Sequence, residues 1–406
     1  MVLDMSKFGP GLKAYYSNQR VENMTYKDFP FYAMLTKKKD FYGKNYPLPI
    51  QIGNPQGRSH TFAKAKANQT SSIYRDFTLT RVKDYSLATV DNETAEASEN
   101  DKGAFLKALT NEINSAIKSA ASSMASQLYG NGSGSMATIG ATTNIATNVI
   151  QLAKVDDIVK FEVGMTLVFA QLEVTGGLRN AGATAVVTGV DRSLGTVTVN
   201  GNLSTLVPAI AVADFIFVDG DRNLSVSGLA AWLPFTAPTA GDNFFGVDRS
   251  VDTVRLAGVR FDGSALSIEE ALVGGLTLSN REGGNVKVVF MNYIDWGNLE
   301  LALGSKVQYM VTQAFGRADI GFTGIQVKTN KGVANCVADT MAPQGFAYGL
   351  TMDSWALYSL KEPIRILDLD GNKVLRTSDA DAVELRVGGY FQLGCDAPGY
   401  NVVIKL

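Results

Sequence analysis

Few stretches of this chain carry residue types that could do chemistry. Gly130-Asn131-Gly132-Ser133-Gly134 has the glycine density of a phosphate loop, where backbone N–H groups at the start of a helix meet the anion. Here the glycines follow a helical pattern, so an anion would meet carbonyls and the negative end of the helix dipole. That polarity argues against a phosphate site. Asp368-Leu369-Asp370-Gly371-Asn372 begins like a calcium loop, and Asp379 stands at the twelfth position, where such a loop needs a carboxylate. Between them Lys373-Val374-Leu375-Arg376 reads as a strand, with valine at the seventh place, so a hairpin with an Asp-Gly turn is the better account. Asp219-Gly220-Asp221 is likewise a turn. His60 is the one histidine, and it has no Ser or Cys nucleophile arranged around it. Its isolation removes most metal-site and acid–base mechanisms. Cys336 and Cys395 are too few for a four-thiolate zinc site and read as small core residues in apolar strands. No catalytic, cofactor-binding or metal-ligating set emerges.

With no chemistry to position, the elements themselves become the subject. The most regular runs from Ser98 to Ser135. Phe105, Leu109, Ile113, Ala116, Ile117, Ala120, Met124 and Leu128 recur at steps of three and four, one apolar stripe of a long helix. From Asp101 to Leu128 it would span about 40 Å. Ser98 with Asp101 resembles a weak capping box, and the glycines at 130, 132 and 134 form the stop. A helix of that length is a beam across a domain rather than the wall of a pocket.

Residues 1–43 read as an irregular arm, dense in aromatics that must dock on the body or on a neighbouring subunit. Lys37-Lys38-Lys39 within it is read as a solvated turn, since three lysines do not make a polyanion patch. Residues 44–97 read as a ribbon of two extended arms, Asn45–Lys66 and Tyr74–Thr94, around a polar turn at Asn68–Ser72. Phe77 and Leu79 share one face while Val82 falls on the other, so the alternation slips there, as at a bulge or twist. A two-stranded ribbon is marginal alone and should lie on another surface. Lys64, Lys66, Arg75, Asp76, Arg81, Lys83 and Asp84 give it charges of both signs, which are inter-subunit contacts or merely solubilising.

After a linker at Met136–Asn148, residues 149–221 turn to short Val- and Thr-rich strands, including a hairpin around Asp191-Arg192-Ser193-Leu194-Gly195. They predict a small β-barrel or β-sandwich set into the larger fold. From 228 to 406 the pattern is mixed: helices at Ser267–Leu278, weakened by Gly274 and Gly275, and at Ile294–Leu303, among strands that dominate the end. The whole is an α+β chain of 406 residues, large enough for more than one core. With 46% apolar and 19% charged residues it should be folded, and a formal charge of −2 gives no general reason to bind nucleic acid. No apolar run reaches membrane-spanning length and no signal peptide is visible at the start.

Taken in order, these segments resemble the major capsid protein of tailed bacteriophages, the Hong Kong 97 fold. The likeness rests on the arm, the long hairpin (that family's E-loop) and the long helix (its spine helix) running into LYGNGSG at Leu128–Gly134. It continues through Phe161–Asp221, Gly228–Pro234, Asp319–Val327, Phe346–Leu357 and Val383–Leu406, in order and spacing rather than in any one motif. The resemblance implies peripheral and axial domains, with the β-rich unit at 149–221 as an added surface domain. It implies a non-enzymatic subunit without cofactors, self-assembled into hexamers and pentamers of an icosahedral or prolate shell. The E-loop would reach onto the next subunit, making Lys64, Lys66, Arg75, Asp76, Arg81 and Lys83 candidates for that contact. Further partners would be portal, scaffolding or decoration proteins, and the shell would enclose double-stranded DNA without sequence-specific binding and without a membrane. The location would be the virion, assembled in the host cytoplasm. Arm and ribbon use all of the roughly 97 residues before the helix, so a separate scaffolding protein, or none, is expected. Lysine–asparagine crosslinks through Lys64 or Lys66 are not expected, since no partner asparagine is identifiable. Other readings are a cellular nanocompartment shell and a tail-tube or decoration protein, which the long helix fits poorly. A carbohydrate-active enzyme would need facing carboxylates, for which there is no candidate pair.

Overall fold

Alternation along the strands and the glycine stop of the long helix set the architecture. The computed structural model describes residues 29–97, 108–303, 310–312, 322–367, 375–377 and 380–406. Two large mixed sheets and a smaller barrel are joined by the long helix Ala108–Tyr129. The expected start of that helix, with Ser98, Asp101 and Phe105, lies outside the described residues, as does the Asp368–Asn372 loop.

One sheet is built on the strand Ala382–Cys395, which continues unbroken through Gly388 and Gly389. It pairs antiparallel with Trp355–Ser359 and with Val82–Asp91. The long helix lies on one face: Ala116 and Ala120 are buried against Ala88, Leu385 and Val387, with Ile113 and Ile117 half-buried beside them. Small residues on the helix allow this close approach. Further along, Met124 and Leu128 are fully buried and join a second, larger core.

A seven-stranded sheet holds Val259–Asp262, Val402–Lys405, Phe346–Leu350, Val288–Met291, Gly332–Ala338, Phe322–Thr329 and Met310–Thr312, in that order. The helix Ile268–Arg281 packs on it, opened by a capping box between Ser267 and Glu270. Its two glycines are not weak points. A Cβ at Gly275 would stand 2.5 Å from Ile404 Cδ1, so glycine lets helix and sheet come together. Cys336 and Cys395 are buried and unpaired, and burial pushes both thiols up to about 12, so neither is a nucleophile at neutral pH.

Four expectations are corrected. The second ribbon arm does not run from Tyr74 to Thr94. The ribbon is Asn45–Gly53 paired with Ile73–Thr80, and the chain changes sheets at Arg81, so that Val82–Asp91 belongs to the large sheet. The slip between Leu79 and Val82 marks this exchange. The first arm is not extended to Lys66 either: Phe62–Ala67 is a short helix, as its alanines and lysines favour. Lys37 and Lys38 are not in a turn. Thr36–Lys38 is an edge strand parallel to Trp355–Ser359; Lys38 Nζ donates to Tyr358 Oη at 3.1 Å, and Lys39 pairs with Glu362. Finally, Met136–Asn148 is not simply a linker, because Ser135–Thr138 is a strand of the barrel.

That barrel runs Ser135–Thr138, Phe215–Val218, Thr166–Ala170, Ala185–Asp191, Thr196–Val199 and Val149–Gln151. A bridge between Ile139 and Leu152 joins its first strand to its last and closes the ring. Ile150, Phe161, Leu167, Phe169, Val197 and Ile216 fill the interior. Closure leaves no free edge to aggregate.

Candidate assembly surface

The ribbon Asn45–Thr80 is held at one end and open at the other. Its base is anchored: Phe77 and Leu79 are fully buried, and Phe77 packs edge-on against Trp232 with ring centroids 5.0 Å apart. Its far end is bare. Phe62, Ile73 and Tyr74 are 84%, 45% and 60% exposed, an apolar end to a two-stranded finger. From residue 54 to residue 76 the finger carries Arg58, Lys64, Lys66 and Arg75 against a single carboxylate, Asp76.

The six residues singled out in the ribbon divide into two groups. Lys64 and Lys66 are exposed on the tip helix, and Arg75 and Asp76 are exposed on the returning strand, opposite Ile50 and Pro49. Arg81 is at the other end, where it holds the arm: its Nη1 donates to Phe41 O at 2.5 Å and its guanidinium lies 5.0 Å from the centre of the Phe41 ring. Lys83 is exposed on the large sheet opposite Tyr390. His60 is exposed in the loop before the tip helix. Reading Phe62–Ala67 as a strand concealed Phe62, since alternation would have put it on a buriable face.

The described end of the arm, residues 29–43, is fixed from within. Phe29, Phe31 and Phe41 are buried in the main core. Phe31 N donates to Asp339 Oδ2 at 3.1 Å, and Tyr129 Oη, at the end of the long helix, donates to the same oxygen at 3.0 Å. Burial raises the Asp339 pKa above the ordinary carboxylate value, while hydrogen bonds from Met341 N, Phe31 N and Tyr129 hold it back. Nothing in the sequence around Asp339 marks it as a junction.

A cleft of about 210 Å³ separates the long helix from the barrel; Ser119, Ser122 and Ser126 line the helix side, and Lys160 and Asp221 line the other. Asp84 faces the same helix, accepting from Ser123 Oγ at 3.4 Å and Gln127 Nε2 at 3.3 Å, and burial raises its pKa. Asp221 keeps an accessible side chain, yet protein fills most of the space around it. That burial first, then the charges of Asp84 and Asp219, push its pKa up to about 6.

Beyond Asp221 the barrel ends in a built rim. The Arg222 guanidinium donates to the carbonyls of Leu172 (2.9 Å), Thr175 (2.7 Å) and Gly176 (2.9 Å), fixing the loop that carries Leu172 and Val174. The Arg179 guanidinium grips buried Asp214 with two hydrogen bonds, of 2.8 and 2.7 Å, tying the far end of that loop to the barrel. Leu172, Val174 and Leu224 remain more than half exposed. Among the described residues no group of three or more His, Cys, Asp or Glu is placed to hold a metal ion, and no helix is long and apolar enough to cross a membrane.

No family model matches this sequence, and no curated protein does. Solved structures do match. A chain of the cyanophage A-1(L) capsid asymmetric unit superposes with a TM-score of 0.57 at 15% identity, over 97% of this chain and 96% of that one. Looser likenesses, with TM-scores of 0.49 and 0.45, extend to the capsid of a native GTA particle (7% identity, 100% and 99% covered) and to the SrpI encapsulin of Synechococcus elongatus PCC 7942 (8% identity, 100% and 95% covered). Over its described residues, the protein has the α+β fold of a phage capsid chain.

Proposed function

We propose that this chain is the major capsid protein of a tailed phage, self-assembling through hexamers and pentamers into the head shell around double-stranded DNA. The observation that carries the reading is the end-to-end overlay on the cyanophage A-1(L) capsid chain, which accounts for nearly all of both molecules. The finger agrees with it: a protruding, apolar-tipped hairpin is a wasteful feature in a monomer and a useful one where heterologous contacts repeat and close. A small net charge suits a container that must hold DNA without binding it tightly. In this reading the role is structural, without catalysis or cofactor, and the location is the virion after assembly in the host cytoplasm. The sheet-and-helix body forms the shell wall, the ribbon reaches a neighbour, and the barrel stands as an added surface domain. Portal, scaffolding or decoration proteins would meet the assembled shell rather than the lone subunit.

Particles recovered from producing cells, treated with nuclease and then opened, test the reading. Protected double-stranded DNA is expected. Particles filled instead with a protein cargo would make the shell a cellular nanocompartment.

A further inference from the structure

The barrel and the rest of the subunit bury separate cores, and among the described residues Val159 alone packs against both. Two polar contacts also join them. At the first, the chain leaves through residues 130–134 and returns through residues 221–228, with a bridge between Asn131 and Ser227. Gly132 and Gly134 hold φ of +89° and +80° there, and Gly220, at +91°, has nothing within 4 Å of a new Cβ. Asn131 Nδ2 and Ser133 Oγ each donate to Glu173 Oε1 at 2.9 Å. At the second, the 3₁₀ helix Val155–Lys160 of the barrel meets the turn before the helix Tyr293–Leu303. Lys154 Nζ donates to Gln344 O at 3.4 Å and stands 5.7 Å from the centre of the Phe346 ring. Burial raises the Asp156 pKa, and a hydrogen bond from Asn292 holds it back. Asp295 accepts from Gly345 N at 2.7 Å. Burial raises its pKa, the Asp156 charge adds to the rise, and Gly345 N and Lys154 oppose it.

We propose that the barrel is a hinged lid over the serine-lined wall of the long helix, swinging about the crossings at Asn131 and Ser227 and held shut where Lys154 and Asp156 meet Asn292, Asp295 and Gln344. The inference goes beyond the shell reading and does not depend on it, because hinge and latch belong to one chain. Two adjacent crossings with glycines between two rigid units are the form a hinge takes. The latch is weak by construction. Across it Lys154 attracts Asp295 while Asp156 repels it, and withdrawing all three charges from water offsets much of the attraction. With Val159 as the one side chain shared by the two cores, little apolar burial opposes opening. Ser119, Ser122 and Ser126, which the lid covers, are polar and suited to water when it opens.

Thiol labelling of the full chain tests the lid. Ser122→Cys places a thiol in the cleft, and its rate of reaction with a bulky maleimide reports opening, because Cys336 and Cys395 are buried and do not compete. In that background Lys154→Ala removes the attraction across the latch and should raise the rate by about fivefold or more. Asp156→Asn removes the repulsion, keeps the side-chain shape and should lower the rate. Thr188→Cys, exposed on the barrel, is the control, and its rate should stay the same in both variants. Opposite changes at Ser122→Cys with a constant control support the lid. Unchanged rates at Ser122→Cys overturn it, and so does a parallel rise at both thiols, which would mean general loosening. If Lys154→Ala does not fold, the slowing by Asp156→Asn decides alone. The rates are read whether or not the chain forms shells, so absence of shells contradicts only the shell reading.

Discussion

Tyr129 and Asp339 meet through a 3.0 Å hydrogen bond from the phenol to the carboxylate, at a point where both are buried. Tyr129 closes the long helix, and Asp339 follows the strand Gly332–Ala338 of the seven-stranded sheet. With Phe31 N on the same oxygen, one carboxylate ties together the arm, the helix and the sheet. The relative placement of the two sheets is thereby set by a contact spanning 210 positions of sequence.

Asp339→Ala leaves the Tyr129 hydroxyl and the Phe31 amide buried without an acceptor, and each such orphan costs about 1–3 kcal/mol. A large fall in the urea midpoint is expected, with the arm becoming sensitive to protease. Tyr129→Phe removes a donor but leaves Asp339 its two backbone bonds, so its loss should be clearly smaller. Equal losses would show that the hydroxyl, not the carboxylate, is the junction.

Two glycine substitutions should differ in sign. In an open helix Gly→Ala gains about 0.5–1 kcal/mol. Gly297, in the helix Tyr293–Leu303, has nothing within 4 Å of a new Cβ, so Gly297→Ala should raise the midpoint. Gly275→Ala drives a methyl group against Ile404 and should lower it, by about 1–3 kcal/mol. Chemical denaturation of the two purified variants decides between close packing and mere tolerance.

Asp221 should make the stability of the fold depend on pH. Its pKa near 6 exceeds the unfolded value, so the folded state binds the proton more tightly, and stability is lost as pH rises towards and through 6. Asp221→Asn should therefore raise Tm at pH 7.5, with the advantage shrinking between pH 6 and 4. Glu162, Lys118 and Lys160 line the same cleft, and the nearby charges of Asp84 and Asp219 raise the Asp221 pKa, so Asp84→Asn separates one of those contributions. Identical Tm profiles against pH for the parent and the Asp221→Asn chain would contradict the raised pKa.

The periodic features were legible and the local exceptions were not. The stripe through Ala116, Ala120, Met124 and Leu128 was visible because a helix buries one face over several turns. The slip at Val82 was visible too, yet a slip alone cannot distinguish a bulge from a change of sheet, since that depends on where Ala382–Cys395 comes to lie. Phe62–Ala67 misled because six residues are too few to separate a period of 2 from one of 3.6. Ser135–Thr138 is a strand only because the barrel needs a first stave, a tertiary demand its own composition does not announce. The basic finger is half legible: Lys64, Lys66 and Arg75 stand out for charge, whereas the exposure of Phe62, Ile73 and Tyr74 among them requires coordinates.

A capsid chain of this fold should make a container on its own. Negative-stain electron microscopy of the purified full-length protein, at neutral pH and low salt, tests that most directly. Closed shells of uniform outline are the predicted result. Open rods, or subunits that stay monomeric at every concentration, would contradict it.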